Sequence, residues 1–400
     1  MLAPLLALLP AFLLARAAQQ PLASTPAPAP EANLTALFAP AADAKSGPVH
    51  AWSRETWNGL TSYAHAQPLR CFGADAGTAY DVAVLGAPFD TATSFRPGAR
   101  FGPNGIRQGS RRLSVERINV PMKLRVSDHL AVADCGDVPM VLTDNKVALR
   151  QLELANAALL ARTPLRAAEL ATQGKKSIAL DGKFHPRVLT LGGDHTITLP
   201  LLRGVAQVYG PVSVIHFDSH LDTWKPNAWN DPDSPWLPGE EVPVSHGSYF
   251  WYAAQEGLLA PNQSNIHVGI RNALHGWDDE ANDRAVGFQI SYAEDIEAGG
   301  YARIVERIRA AVGERPVYIT LDIDVLDPSF APATGTPEIG GFSTREIKKI
   351  LHGLSGLKVV GADIVEVAPG YDTQDEITQI AAANIGWEML ALMATTPLTA

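Results

Sequence analysis

Ile215-His216-Phe217-Asp218-Ser219-His220-Leu221-Asp222 starts apolar, as do Val212 and Val214 before it, and ends with three metal-ligand side chains at every second position. In an extended strand alternate side chains share a face. Asp218, His220 and Asp222 therefore converge if the chain stays extended through them. Two carboxylates and an imidazole suit a hard or borderline divalent cation. Alone, the pattern fits a solvated loop equally well.

Two further stretches weigh against the loop. Val188 to Leu191 is an apolar run followed by Gly192-Gly193-Asp194-His195. Val317 to Leu321 is another, and it puts Asp322 and Asp324 at its end. A single Asp or His after a strand is usually a helix N-cap or a turn former. Three strand ends that each carry ligand-type residues point instead to one site, since open parallel α/β sheets bind ligands at the carboxyl ends of their strands.

These three motifs resemble those of the ureohydrolase family, which includes arginase and agmatinase: Gly192-Gly193-Asp194-His195, Asp218-Ser219-His220-Leu221-Asp222, and Asp322 to Pro328. Ser219 stands where the family often has Ala. Arg96 to Pro103 resembles the agmatinase loop after the first strand, and Ser245-His246-Gly247-Ser248 the family's catalytic His segment. Thr334 to Glu338 and Asp363 to Val367 also match. The resemblance covers roughly residues 80 to 390. It implies a three-layer α/β/α sandwich around an eight-stranded parallel sheet.

The rest of the chain fits that fold class. Strands are expected at Tyr80–Gly86, His129–Cys135, Arg187–Leu191, Val212–Phe217, Ile266–Ile270, Gly287–Ser291, Pro316–Leu321 and Lys358–Val365. Helical segments lie between them, near Leu199–Tyr209, Tyr301–Val312, Thr344–Leu354 and Asp375–Met393. A further helical pattern, Leu149 to Leu170, is interrupted by Pro164. Trp52 to Cys71 reads as a partly helical lead-in. Strands alternating with helices mean a parallel sheet covered on both faces.

The chain has 400 residues, 46% hydrophobic and 18% charged, enough for one large core. A net charge of −10 and no Lys/Arg run disfavour nucleic acid. Leu2 to Leu14 is almost wholly apolar and too short to span a membrane. Ala15-Arg16-Ala17 offers a cleavage pattern, so residues 1–18 read as a signal peptide, with an N-terminal anchor as the alternative. The mature protein is then secreted, with no membrane contact after cleavage. Residues 19–47 are Ala/Pro-rich and read as a disordered linker. That leaves 48–400 as the catalytic domain. Cys71 and Cys135 read either as one disulfide of an oxidising compartment or as two buried thiols. Asn33-Leu34-Thr35 and Asn262-Gln263-Ser264 are glycosylation sequons, meaningful only in a glycoprotein secreted by a eukaryote.

The resemblance also assigns the chemistry. Asp218 and Asp322 bridge two metals, His195 and Asp222 hold one, and His220 and Asp324 hold the other. Four aspartates offset two divalent cations, and metals about 3.5–4 Å apart lower the pKa of a shared water. Oxygen-rich coordination without Cys favours Mn over Zn, with two Mn(2+) per subunit. Glu366 matches the residue that pairs with the guanidinium of the substrate, and His246 the proton shuttle, which its pKa near neutrality suits. Asp194 reads as a cap, Asp327-Pro328 as a turn, and the Trp224–Trp229–Trp236 segment as lid packing or a cation–π surface.

For the substrate, arginase needs a Thr/Ser/Asn-rich loop that recognises an α-carboxylate. Thr223 to Ser245 is instead rich in Trp, Pro and acid, with Asp231, Asp233, Glu240 and Glu241. The expected substrate is a small cationic guanidino compound, agmatine first, split into putrescine and urea. Guanidinobutyrate and arginine are the alternatives. Outside this reaction stand a non-catalytic secreted metal- or polyamine-binding protein, and a hydrolase of other amides. Family members commonly form trimers or hexamers, so a homo-oligomer is expected.

Overall fold

A computed structural model describes residues 59–226, 243–396, 398 and 399, all within the unit Trp52–Ala400. The signal peptide, the linker, the first sequon, Trp229 and Trp236 lie outside the described residues.

The strands of the main sheet are β1 (Gln67–Pro68), β2 (Val82–Gly86), β3 (Val132–Asp137), β4 (Arg187–Leu191), β5 (Ser213–Phe217), β6 (Asn265–Ile270), β7 (Phe288–Tyr292), β8 (Pro316–Asp322) and β9 (Lys358–Val365). They are ordered β1-β3-β2-β4-β9-β8-β5-β6-β7, and every pairing is parallel. Nine strands rather than eight is a correction. The extra one is β1, two residues paired with Ala133 and Asp134 at the sheet edge. It is too short to show a pattern, and Pro68 is tolerated there because an edge strand leaves one side of its ladder unpaired. Cys71, just beyond β1, is disulfide-bonded to Cys135 of β3.

Strands buried on both faces read as continuous apolar runs, and consecutive residues separate into two core layers. Val82 and Val84 pack into one layer, Ala83 and Leu85 into the other. The first layer is covered by α1 (Gly102–Gly109), α6 (Asp295–Val312), α7 (Thr344–Gly353) and α8 (Ile377–Thr395). The second is covered by α2 (Asn145–Leu160), α3 (Thr198–Tyr209), α4 (Tyr249–Gln255) and Val286 of α5 (Trp277–Val286).

Some helix bounds differ from expectation. α2 starts four residues earlier, because the Asp144 side chain caps it by accepting from Val147 N. It stops at Leu160, ahead of Pro164, and a short helix resumes at Ala167–Thr172. The expected helical lead-in is a single 3-10 turn at Tyr63–His65. The carboxyl ends of β4, β9, β8 and β5 stand side by side, and the candidate residues follow them.

Candidate active site

His195 follows β4 in a 3-10 turn whose N-cap is Asp194. The loop approaches Phe89 closely: Asp194 N donates to Phe89 O at 2.7 Å, and a Cβ at Gly193 would fall 1.8 Å from that oxygen. Only glycine allows the approach. Asp194 accepts from Thr196 N and, through Oδ2, from Ala92 N, so it caps one loop and braces another.

The Asp218–Asp222 stretch does not converge by strand alternation. β5 ends at Phe217, and Asp222 has φ 55°. The chain turns back on itself instead, with His220 N donating to Asp218 Oδ1 at 2.6 Å. Likewise β8 ends at Asp322, and Asp324 lies in the 3-10 turn Ile323–Val325.

These turns bring the six expected ligands together. His195 Nδ1 faces Asp218 Oδ2 at 3.0 Å, Asp222 Oδ2 at 3.2 Å and Asp322 Oδ2 at 3.4 Å. His220 Nδ1 lies 3.0 Å from Asp324 Oδ2 and 3.3 Å from Asp218 Oδ1. Asp218 thus belongs to two clusters of metal-ligating geometry, one with His195, His216 and Asp222, the other with His220 and Asp324. Ser219, the departure from the family pattern, donates from Oγ to Asp324 Oδ1 at 2.7 Å.

The donor set fits cations. His195 Nδ1 faces three carboxylate oxygens, yet neither it nor Asp218 Oδ2 makes a well-aligned hydrogen bond among the described residues, a state that costs about 1–3 kcal/mol per buried group unless something else coordinates it. Burial, then the charge of Asp218, pushes Asp222 up to about 6. Burial, then Asp324 and Asp218, raises Asp322 well above the usual carboxylate range. Crowded buried carboxylates of this kind are relieved by divalent cations. The far side of His195 is also fixed: Nε2 meets Thr320 Oγ1 at 2.7 Å, and Thr320 Oγ1 donates to Asp363 Oδ1 at 2.5 Å.

Glu366 follows β9 and is buried, with φ 62°. Its Oε1 accepts from His195 N at 2.9 Å and lies 3.1 Å from His246 Nδ1. Its Oε2 has no partner. His246 Nε2 accepts from Ser94 N at 3.0 Å, which leaves the proton of a neutral ring on Nδ1, aimed at Glu366. Burial lowers the His246 pKa, but the Glu366 hydrogen bond and charge outweigh it and bring it to about 9. The two neighbours therefore oppose each other, Glu366 favouring the imidazolium and Ser94 the free Nε2.

A cavity of about 490 Å³ opens onto these groups, in the size range of small-molecule sites. His220, Asp222, Asp322 and His246 line it, with Trp224, Asn272, His275, Thr336 and Glu338. Trp224 is nearly buried. Asp327 holds a turn, accepting from Ser329 N, Gly340 N and Gly341 N.

Sequence reasoning passed over the groups beneath the ligands. His216 Nε2 lies 2.8 Å from Asp218 Oδ2, and His216, His267, Thr320 and Asp363 are all fully buried. The available signal was a polar residue inside an otherwise apolar strand.

Residues 80–391 match the model of the arginase family. The chain belongs to the arginase family. Over 358 residues it is 49% identical to a Schizosaccharomyces pombe protein named "Putative agmatinase 1", spanning 89% of this chain and 88% of that one. A Neisseria meningitidis serogroup C agmatinase is 38% identical over 312 residues, 78% of this chain and 87% of its own. Among solved arginase-family structures, the proclavaminate amidino hydrolase of Streptomyces clavuligerus superposes with a TM-score of 0.69 at 31% identity, covering 85% of this chain and 99% of that one. The fold is that of the family, a large parallel sheet with helices on both sides; the family is binuclear-metal dependent, and this chain carries a buried His/Asp cluster.

Proposed function

We propose that the protein hydrolyses agmatine to putrescine and urea, using two Mn(2+) ions per subunit. The observation that carries the substrate is the charge of the cavity wall. Among the described residues lining it, Glu338 is a carboxylate outside the ligand set, and no Lys or Arg is present. Such a wall accepts a distal ammonium and repels the carboxylate of guanidinobutyrate or arginine. Relatives named agmatinase support the same reading.

His195 and Asp222 would hold one cation and His220 and Asp324 the other, with Asp218 and Asp322 shared. When bound, the pair supplies a water acidic enough to attack at neutral pH. Oxygen-rich ligation supports Mn over Zn.

The chain's own residues do the rest. Glu366, whose Oε2 has no hydrogen-bond partner among the described residues, accepts the guanidinium N–H groups and fixes the orientation of the guanidinium in the cavity. Its buried position makes that pairing strong. Once the guanidinium neutralises Glu366, the pull that holds His246 at about 9 weakens. His246 is then a better acid, beside the nitrogen that must leave. Water adds to the guanidinium carbon, the bond from that carbon to the butylamine nitrogen breaks as His246 protonates the departing amine, and the proton released by the added water restores the His246 imidazolium. Urea and putrescine result.

The apolar N-terminus and the Cys71–Cys135 bond support a secreted protein, which amino-terminal sequencing of protein from the medium would test. The family resemblance supports a trimer or hexamer, which sedimentation would test.

Product analysis tests the reaction. Urea and putrescine in equal amounts are expected from agmatine. Ammonia with N-carbamoylputrescine would show that the other carbon–nitrogen bond breaks, and would overturn the assignment of Glu366 and His246.

A further inference from the structure

A second line of buried polar groups runs behind the ligands, away from the cavity. His216 and His267 are register partners on β5 and β6, and their Nδ1 atoms stand 2.6 Å apart. At one end His216 Nε2 meets Asp218. At the other, His267 Nε2 lies 2.9 Å from Asp283 Oδ1. Asp283, on α5, is fully buried, and the same oxygen accepts from Thr223 Oγ1 at 2.8 Å. Thr223 follows Asp222, and its carbonyl accepts from Asn282 Nδ2 at 2.7 Å.

One carboxylate therefore reaches two ligands by separate routes: Asp218 through two imidazoles, and Asp222 through the next residue. The second route matters because Asp222 has a left-handed backbone. A non-glycine residue in that conformation is strained and persists only where its surroundings fix it. The first route runs through two rings held in strand register, from Asp283 to Asp218. The His267 ring also lies flat on Phe288, with centroids 4.0 Å apart and planes at 14°, which fixes the plane of the imidazole.

We propose that Asp283 is a positioning residue of the metal centre: it sets the direction of the Asp218 carboxylate through His267 and His216, and holds the Asp222 turn through Thr223. Groups beneath metal ligands commonly change metal affinity ten- to hundred-fold.

The test is Mn(2+) affinity of the metal-free full-length protein, by competition with a chelating indicator, for wild type, Asp283→Asn, Thr223→Val and His267→Asn. Asp283→Asn keeps the size and an acceptor oxygen but removes the charge. A ten- to hundred-fold weaker Mn(2+) affinity is expected, with KM for agmatine unchanged once Mn(2+) saturates. The two branch variants should each lose less. A lower melting temperature with wild-type Mn(2+) affinity would show a merely structural role and overturn the proposal. If Asp283→Asn fails to fold, the branch variants decide: weaker Mn(2+) binding in both supports the proposal, and wild-type affinity in either overturns it. This inference rests on the metal reading above, and loss of urea release with wild-type Mn(2+) affinity in Asp283→Asn would overturn the inference and leave that reading standing.

Discussion

His246 Nδ1 lies 3.1 Å from Glu366 Oε1, and the same oxygen accepts the backbone N–H of His195 at 2.9 Å. One buried carboxylate thus joins the expected proton donor to the loop that carries a metal ligand. Glu366 sits in a left-handed backbone conformation, so its side chain is aimed by the strand end rather than by chance rotamer choice.

The pairing predicts how His246 titrates. Its pKa of about 9 is above the ordinary histidine value because the Glu366 carboxylate favours the charged ring. In Glu366→Gln that attraction goes and burial remains, which disfavours charge. The imidazolium should therefore lose its proton at lower pH than in wild type. NMR titration of the His246 ring checks this, and a value still near 9 would contradict the pairing.

Replacing His246 by Ala should lower kcat by about 10²–10⁴, the usual contribution of a positioned proton donor. KM should change little, since Glu366 still holds the guanidinium. Steady-state kinetics with agmatine separate the two parameters.

Thr320→Val should weaken the metal centre without touching the cavity. The hydroxyl stands between His195 Nε2 and Asp363 Oδ1, and the valine removes that partner from both in a fully buried place, while Asp363 Oδ2 keeps Thr198 and Tyr318. A ten- to hundred-fold loss of metal affinity is expected, by order of magnitude. Chelator competition measures it.

Cys71→Ser should lower stability and leave kcat alone. The bond spans 64 residues, and closing a loop of that length is worth about 4 kcal/mol in the chain-entropy account. Thermal unfolding with and without reductant should show a difference for wild type and none for the variant.

Much of this could be read from the sequence because the strands are buried on both faces. Val188 to Leu191 and Val317 to Leu321 are apolar runs broken only by Thr190 and Thr320, and the ligand-type residues follow them. The reason given for convergence did not hold. Asp218, His220 and Asp222 meet through a turn with Asp222 at φ 55°, which side-chain alternation does not describe. β1 escaped because two residues have no period. The His216–His267 contact escaped because it depends on the register of two strands 51 positions apart, and each histidine alone reads as one polar residue in an apolar strand. Asp144 as the cap of α2 was legible in type but lies ahead of the apolar pattern that marked the helix.

The most direct measurement is urea release by the Mn-loaded protein from agmatine, 4-guanidinobutyrate and arginine in parallel. A cavity wall with Glu338 and no Lys or Arg among its described residues predicts that agmatine has much the highest kcat/KM. Preferred turnover of guanidinobutyrate or arginine would keep the metal centre and contradict the substrate, and no urea from any of the three would contradict the enzyme.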